Sequence, residues 1–176
     1  MKNILLALEG PDKCAKSEIS VELCRRLNAG YFKNGGEWTA DLRSPDYFKK
    51  LLEYGATLLV DFFVQVKCSV ILDRFYPSEW VYSRVFERDT NEEVLRLVDE
   101  KFSQCGGVIV LCRRKSYNGI VDDLHSFIDS QMLEKLDAEY ENFKLWTTCK
   151  VVEIFVDDHD LDRQCNDIIK GLENLR

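Results

Sequence analysis

The sequence predicts an α/β fold, in which a single domain spanning residues 1–176 holds a five-stranded parallel sheet with helices on both faces. Short apolar runs typical of strands that are buried on both faces alternate along the chain with helical patterns. The first apolar run leads into LEGPDKCAKS (residues 8–17), a glycine-containing turn that opens a helix. A chain of 176 residues with 45% hydrophobic residues can bury the core that such a domain needs.

The strands are predicted from short apolar runs bounded by turn residues. Gly35 and Gly36 mark a turn before the second strand, while the runs CSVIL and VIVLC have the composition of strands covered on both faces. In chain order, strands are predicted at residues 4–8, 38–42, 68–72, 108–112 and 150–156.

The helices are predicted from apolar residues at spacings of three and four. Pro45 and Pro77 stand at first helical positions, and Arg25 and Arg26 lie in a last turn, where positive charge suits the helix dipole. In chain order, helices are predicted from the phosphate loop to about residues 28–30, and at residues 47–66, 77–88, 91–102, 122–146 and 161–175.

The stretch LEGPDKCAKS has the spacing of a phosphate-binding loop. Its backbone N–H groups would form an anion nest at a helix N-terminus, with Lys16 reaching the β- and γ-phosphates and Ser17 ligating Mg²⁺. Ala15 stands where the usual pattern has glycine. A Cβ at Ala15 would hinder the approach of the backbone to phosphate, or the backbone angles that allow it.

Charged residues follow two further predicted strands. Asp73 and Arg74 come directly after residues 68–72, and Arg113 and Arg114 come directly after residues 108–112. Because parallel strands end at one edge of a sheet, we expect these side chains to gather beside the phosphate loop.

Net charge and cysteine usage narrow the class of protein. A formal net charge of −7 argues against a broad nucleic-acid surface and favours a small substrate. The chain has seven cysteines and no C-x-x-C pair, and the apolar stretch at its start is too short to span a membrane. These features predict a soluble, cytoplasmic protein with reduced thiols and no membrane partner. Cys14, between Lys13 and Lys16, is expected to have thiolate character, unless it is only a small residue tolerated in the loop.

The two motifs LEGPDKCAKS and ILDRFYPSEWVYS together resemble the thymidylate kinase family of nucleoside monophosphate kinases, over nearly the whole chain. The resemblance implies a P-loop kinase fold with ATP and Mg²⁺ as cofactors. In the first motif it implies that Asp12 lies near the acceptor sugar or its bridging water and metal, and that Lys13 helps to neutralise the transferring phosphoryl group. The nucleotide-binding residues implied are Glu9, Gly10, Pro11, Asp12, Lys13, Cys14, Ala15, Lys16 and Ser17.

In the second motif, the resemblance assigns Arg74 to the acceptor phosphate. A fork of guanidinium donors suits a tetrahedral oxyanion, and Asp73 would orient Arg74 or hold a Mg²⁺-bound water. Arg43 resembles the arginine of the family's R-E-P segment, although Ser44 stands in place of the glutamate. Arg113 and Arg114 are the candidates for lid residues that cover ATP.

The predicted site residues fall into three groups. The substrate-binding residues are Asp12, Arg43, Arg74, Phe75, Ser78 and Tyr82. The catalytic residues are Lys16, Asp12, Lys13, Asp73 and Arg74, and the metal ligands are Ser17 and Asp73.

The function implied by the resemblance is transfer of the γ-phosphoryl group of ATP to a deoxynucleoside monophosphate. Two alternatives remain open. A kinase of the same fold would phosphorylate a hydroxyl, either of a nucleoside or of a hydroxymethylated pyrimidine in DNA as in phage-type relatives, with Asp73 or Asp12 as the base. A nucleotide-binding regulator or inactive pseudokinase would account for Ala15. The apolar helix at residues 47–66 is compatible with a homodimer face.

Overall fold

The fold is built on one parallel sheet of five strands, in the order β2-β3-β1-β4-β5. This computed structural model describes residues 3–33, 55–120 and 128–175. The strands are β1 (Leu5–Glu9), β2 (Gly30–Lys33), β3 (Val70–Asp73), β4 (Val108–Arg113) and β5 (Lys150–Phe155). The predicted five-stranded parallel sheet is confirmed.

Six helices occur within the described residues. They are α1 (Lys16–Leu27), α2 (Ala56–Val66), α3 (Tyr76–Val85), α4 (Glu92–Gln104), α5 (Ser130–Trp146) and α6 (Leu161–Asn174). Side chains cap three of them at the N-terminus: Asn91, Asp129 and Asp160 each accept a hydrogen bond from the backbone N–H three residues on. None of the helices in these segments is long and apolar enough to cross a membrane.

Strand β1 is the central strand and determines where the site forms. All five of its residues are buried, and it pairs with β3 on one side and β4 on the other. Helices α1 and α6 pack together in one layer, and α3, α4 and α5 pack together in another, where Tyr76, Phe102 and Phe143 form an aromatic cluster. The loop that leaves β1 therefore lies between the carboxyl ends of two neighbouring strands, at the position where open α/β sheets bind ligands.

Two parts of the chain differ from the sequence-based expectation. Strand β2 forms at Gly30–Lys33, directly after α1, where no strand was predicted; the predicted strand at residues 38–42 lies outside the described residues, as does the helix predicted at residues 47–66 up to residue 54. Helix α5 begins at Ser130, since Ile128 and Asp129 are not helical; the rest of its predicted start, residues 122–127, lies outside the described segments.

Candidate active site

The loop between β1 and α1 turns through residues with positive φ. Gly10 has φ 135°, and a Cβ built there would lie 2.1 Å from the carbonyl oxygen of Cys112, so only glycine fits against β4. Ala15, the last residue before α1, has φ 50° and ψ 18°. This is the left-handed conformation that glycine adopts at least cost, which confirms that the backbone angles at this position are unfavourable for alanine.

The side chain of Lys16 is held inside the loop. It is 7% exposed, and its Nζ donates a hydrogen bond of 2.5 Å to the carbonyl oxygen of Pro11. Burial lowers the pKa of Lys16, and the neighbouring Arg74 guanidinium lowers it further. The Lys16 amine therefore lies within the loop at the N-terminus of α1, where a phosphate oxygen could replace the Pro11 carbonyl as its partner.

Ser17, at the start of α1, is joined to the end of β3. Its Oγ donates a 2.6 Å hydrogen bond to Oδ2 of Asp73, which also accepts a 2.8 Å hydrogen bond from the hydroxyl of Tyr31 on β2. Asp73 is 3% exposed, whereas Ser17 is exposed. A hydroxyl and a carboxylate in contact are hard oxygen ligands of the kind Mg²⁺ uses beside nucleotide phosphates. Tyr31 was absent from the residues predicted from sequence.

Arg74 spreads its guanidinium across both sequence motifs. Its Nη1 donates to the carbonyl oxygen of Gly10 at 3.1 Å and to Ser78 Oγ at 3.0 Å, while its Nη2 donates to Asp12 and, at 3.2 Å, to the hydroxyl of Tyr82. Asp12, Arg74, Ser78 and Tyr82, all of them predicted to bind substrate, are thus brought into one polar cluster. The fork of Arg74 lies against the phosphate loop itself.

Asp12 is held in its ionised form by that cluster. Burial acts to raise its pKa, but the charges of Arg74 and Lys16 and a 2.8 Å hydrogen bond from Tyr82 outweigh burial, so the pKa of Asp12 lies below its usual value. An ionised, ion-paired carboxylate orients cations and donors well. It is a poor proton acceptor at neutral pH.

Glu9 supports the cluster from inside the protein. Its carboxylate is fully buried and accepts hydrogen bonds from the backbone N–H of Phe75 (2.5 Å), from Ser78 Oγ (2.6 Å) and from the hydroxyl of Tyr140 on α5 (3.2 Å). Burial raises the pKa of Glu9 to about 7, although Arg74 opposes the shift. Glu9 was predicted among the nucleotide-binding residues, and the contacts found for its side chain are with the protein.

Arg113 is engaged in an ion-pair network. At the end of β4, its guanidinium pairs with Asp137 and Glu141 on α5 and with Glu153 on β5, and its side chain is 13% exposed. These contacts join the sheet to α5. They leave the lid role predicted for Arg113 without a supporting contact among the described residues.

Arg114, by contrast, contacts the phosphate loop. Its Nε donates a 2.9 Å hydrogen bond to the carbonyl oxygen of Lys13, and its backbone N–H donates to the hydroxyl of Tyr117 at 3.3 Å. The same hydroxyl lies 3.6 Å from Sγ of Cys14, which is fully buried. Burial raises the pKa of the Cys14 thiol, so the thiolate character expected from its lysine neighbours is wrong: loss of hydration outweighs the nearby positive charge.

The remaining predicted residues are placed as follows. The ring of Phe75 is buried against Tyr76 and Phe102, with centroids 5.2 and 5.6 Å away, so its side chain belongs to the core while its backbone N–H binds Glu9. This corrects the prediction that Phe75 contacts substrate. Arg43 lies outside the described residues.

The sheet order, the loop after the central strand and the lysine and serine that follow it define the P-loop kinase fold. No family model matches the chain, and no curated protein matches it. Among solved structures, the chain is similar to YorR from Bacillus subtilis in complex with phosphorylated GDP, with 22% identity, 96% of this chain and 95% of that chain covered, and a TM-score of 0.68.

Two further solved structures are similar over their whole length. Thymidylate kinase from Ehrlichia chaffeensis is 16% identical, with 98% of this chain and 100% of that chain covered and a TM-score of 0.63. Deoxyadenosine kinase from M. mycoides, with products dCMP and a flexible dCDP bound, is 16% identical over the same shares, with a TM-score of 0.55. At these identities the likeness concerns the fold, and it confirms the predicted P-loop kinase architecture.

Proposed function

We propose that this protein is an ATP- and Mg²⁺-dependent kinase that transfers the γ-phosphoryl group of ATP to a deoxynucleoside monophosphate. The observation that carries the proposal is the position of Arg74, whose guanidinium donates to Gly10 and Asp12 of the phosphate loop. An acceptor phosphate bound by this fork would lie beside the phosphates bound by the loop. Transfer between two phosphates requires that proximity.

The residues of the loop fit ATP and Mg²⁺. The buried Nζ of Lys16, now bonded to the carbonyl oxygen of Pro11, is close enough to exchange that partner for a phosphate oxygen. The exposed hydroxyl of Ser17 and the carboxylate of Asp73 would hold the cation. A Mg²⁺ ion held there would supply positive charge to neutralise the charge that develops during transfer.

The other residues orient the acceptor and balance charge. Arg74 would hold the acceptor phosphate by exchanging its hydrogen bonds to the Gly10 carbonyl and the Tyr82 hydroxyl for bonds to phosphate oxygens, while Asp12 and Ser78 keep the plane of its guanidinium fixed. Arg114 brings a further positive charge to the loop beside Lys13. A phosphate acceptor is already ionised and needs no general base.

The electrostatics of Asp12 support a phosphate acceptor over a hydroxyl. A hydroxyl acceptor needs a carboxylate that takes its proton. Of the two candidates, Asp12 has a lowered pKa and an Arg74 partner, and Oδ2 of Asp73 already accepts hydrogen bonds from Ser17 and Tyr31. The similar solved structures include a thymidylate kinase, which supports a nucleotide as the substrate. They also include a deoxyadenosine kinase, so a nucleoside acceptor belongs in the test.

The test follows labelled phosphate. The protein is incubated with γ-labelled ATP and Mg²⁺, in turn with deoxynucleoside monophosphates, nucleosides, and duplex DNA with and without hydroxymethylated pyrimidines. We expect label in a deoxynucleoside diphosphate. Label only in a nucleoside monophosphate or in DNA would replace the proposed acceptor by a hydroxyl.

The variant Lys16→Ala tests whether phosphoryl transfer depends on the phosphate loop. It should abolish transfer, because the buried Nζ of Lys16 lies inside the loop, where it would meet the β- and γ-phosphates. Lys170→Ala, which removes an exposed lysine from α6, is the matched control and should leave transfer unchanged. If calorimetric titration with millimolar ATP and Mg²⁺ detects no binding to the wild type, the kinase assignment fails.

A further inference from the structure

Tyr31 makes a contact that the proposed function does not use. Its hydroxyl donates a 2.8 Å hydrogen bond to Oδ2 of Asp73, the same oxygen that accepts a 2.6 Å hydrogen bond from Ser17. Asp73 is 3% exposed. Two hydrogen-bond donors on one carboxylate oxygen restrict the χ2 torsion of Asp73, which is otherwise broadly distributed.

The sheet determines which way Tyr31 points. In the parallel register of β2 and β3, Tyr31 pairs with Ile71, and Asp73 lies two residues beyond Ile71 on the same face. The next residue of β2, Phe32, contacts Phe63 of α2 at a ring-centroid distance of 5.8 Å. Neighbouring strand residues face opposite sides of a sheet, so Tyr31 and Phe32 are a natural pair of test and control positions.

We propose that Tyr31 is a positioning residue for the divalent cation of this site, acting through Asp73. Tyr31 and Ser17 together hold Oδ2, so that Oδ1 of Asp73 keeps a fixed direction for the cation or for a water bound to it. The inference rests on the proposed function, because it assumes that the cation accompanies ATP. Partners of this kind, which orient a metal ligand without touching the metal, typically change metal affinity by about 10- to 100-fold.

The variant Tyr31→Phe removes only the hydroxyl. We expect it to leave ATP affinity in the presence of EDTA unchanged and to weaken by about tenfold the gain in affinity that saturating Mg²⁺ produces, both measured by calorimetry. Electron paramagnetic resonance of Mn²⁺ with a non-hydrolysable ATP analogue should report the same loss. Phe32→Leu, which alters the opposite face of β2, should leave the metal-dependent gain intact.

The outcomes separate this inference from the proposed function. If wild-type protein binds no ATP with or without Mg²⁺, the proposed function fails first. If the wild type shows a metal-dependent gain and Tyr31→Phe keeps it in full, Tyr31 does not position the cation. If Tyr31→Phe lowers affinity equally with EDTA and with Mg²⁺, Tyr31 is a structural residue and the inference is overturned. Thermal unfolding of both variants without nucleotide establishes that they are folded.

Discussion

Arg74 and Asp12 form an ion pair that joins the carboxyl end of β3 to the phosphate loop, across 62 positions of sequence. Both side chains are largely buried, at 22% and 26% exposure. Removing one partner from such a pair leaves the other charged and poorly hydrated, which costs more than the pair itself contributes. The two motifs of the sequence are therefore one site, and we expect substitutions in either motif to affect the other.

Replacing Arg74 by lysine should damage acceptor binding selectively. Lysine keeps the charge but loses the planar fork that contacts Ser78 and Asp12 together. We expect kcat/KM for the acceptor to fall by about 100-fold, the loss of one to two charge-assisted bonds of roughly 1.5–3 kcal/mol each, with a much smaller change in the Kd of ATP. Arg25→Lys, on an exposed face of α1, is the control. Equal losses for acceptor and ATP would mean that Arg74 only supports the loop.

Replacing Ala15 by glycine should relieve strain in the loop. Ala15 has φ 50°, a left-handed conformation that costs a residue with a Cβ about 1 kcal/mol or more. We expect Ala15→Gly to raise the free energy of unfolding in urea by about 1 kcal/mol and to tighten ATP binding or raise turnover.

Asn28, at the other end of α1, supplies the matched control for Ala15. It has φ 49° and is equally left-handed, but it lies away from the loop. Asn28→Gly should therefore change stability without changing ATP binding. A large loss of activity in Ala15→Gly would show that the loop depends on a geometry that alanine maintains.

Replacing Gly10 by alanine should disrupt the loop. The new Cβ would lie 2.1 Å from a backbone oxygen of β4, which cannot move aside as a flexible side chain can, and φ 135° adds backbone strain. We expect a destabilisation of roughly 3 kcal/mol or more in urea unfolding. Gly119 also has positive φ, but a Cβ there would have no atom of the described residues within 4 Å, so Gly119→Ala should cost only about 1–2 kcal/mol. Equal effects of the two substitutions would argue against the contact with β4.

Glu9 should make stability fall as the pH rises towards neutrality. Its pKa is raised from 4.5 to about 7 in the folded protein, so between these values the folded protein keeps a proton that the unfolded chain releases. The stabilisation is complete below pH 4.5 and is lost as pH approaches about 7. Relative to Glu9→Gln, which does not titrate, the wild type should lose on the order of 3 kcal/mol of unfolding free energy between pH 4.5 and pH 8. Parallel curves for the two proteins would mean that Glu9 titrates normally.

Sequence patterns located the central strands because each is an apolar run up to its last residue. Strands β1 and β3 are buried at every position, and the loop and the Asp73-Arg74 pair follow directly from where they end. Strand β2 was missed because it is a four-residue edge strand with every residue exposed, so it carries no apolar run. The available signal was local: α1 ends at Leu27, and Tyr31 and Phe32, aromatic residues that favour strands, follow a few residues later.

The sequence likewise predicted some residues of the site and missed others. The resemblance of the two motifs to the thymidylate kinase family grouped Asp12, Arg74, Ser78 and Tyr82 as substrate-binding residues, and their side chains are in contact in the structure. Spacing carries no information on burial, so it missed the raised pKa of the Cys14 thiol. It also missed Tyr140, which reaches Glu9 from α5 across 131 positions of sequence.

The pairing of β1 with both β3 and β4 has a consequence for how the protein is made. Gly10 rests against the carbonyl of Cys112, and the backbone N–H of Arg74 bonds to the carbonyl oxygen of Leu8, so the loop acquires its walls from segments synthesised much later. Contacts of such long sequence separation form slowly and late. On the ribosome, a nascent chain that stops before β4 carries the complete motif LEGPDKCAKS but has no pocket around it. Strand β1 therefore gains its second neighbour, and the loop its second wall, only after residue 113 has emerged.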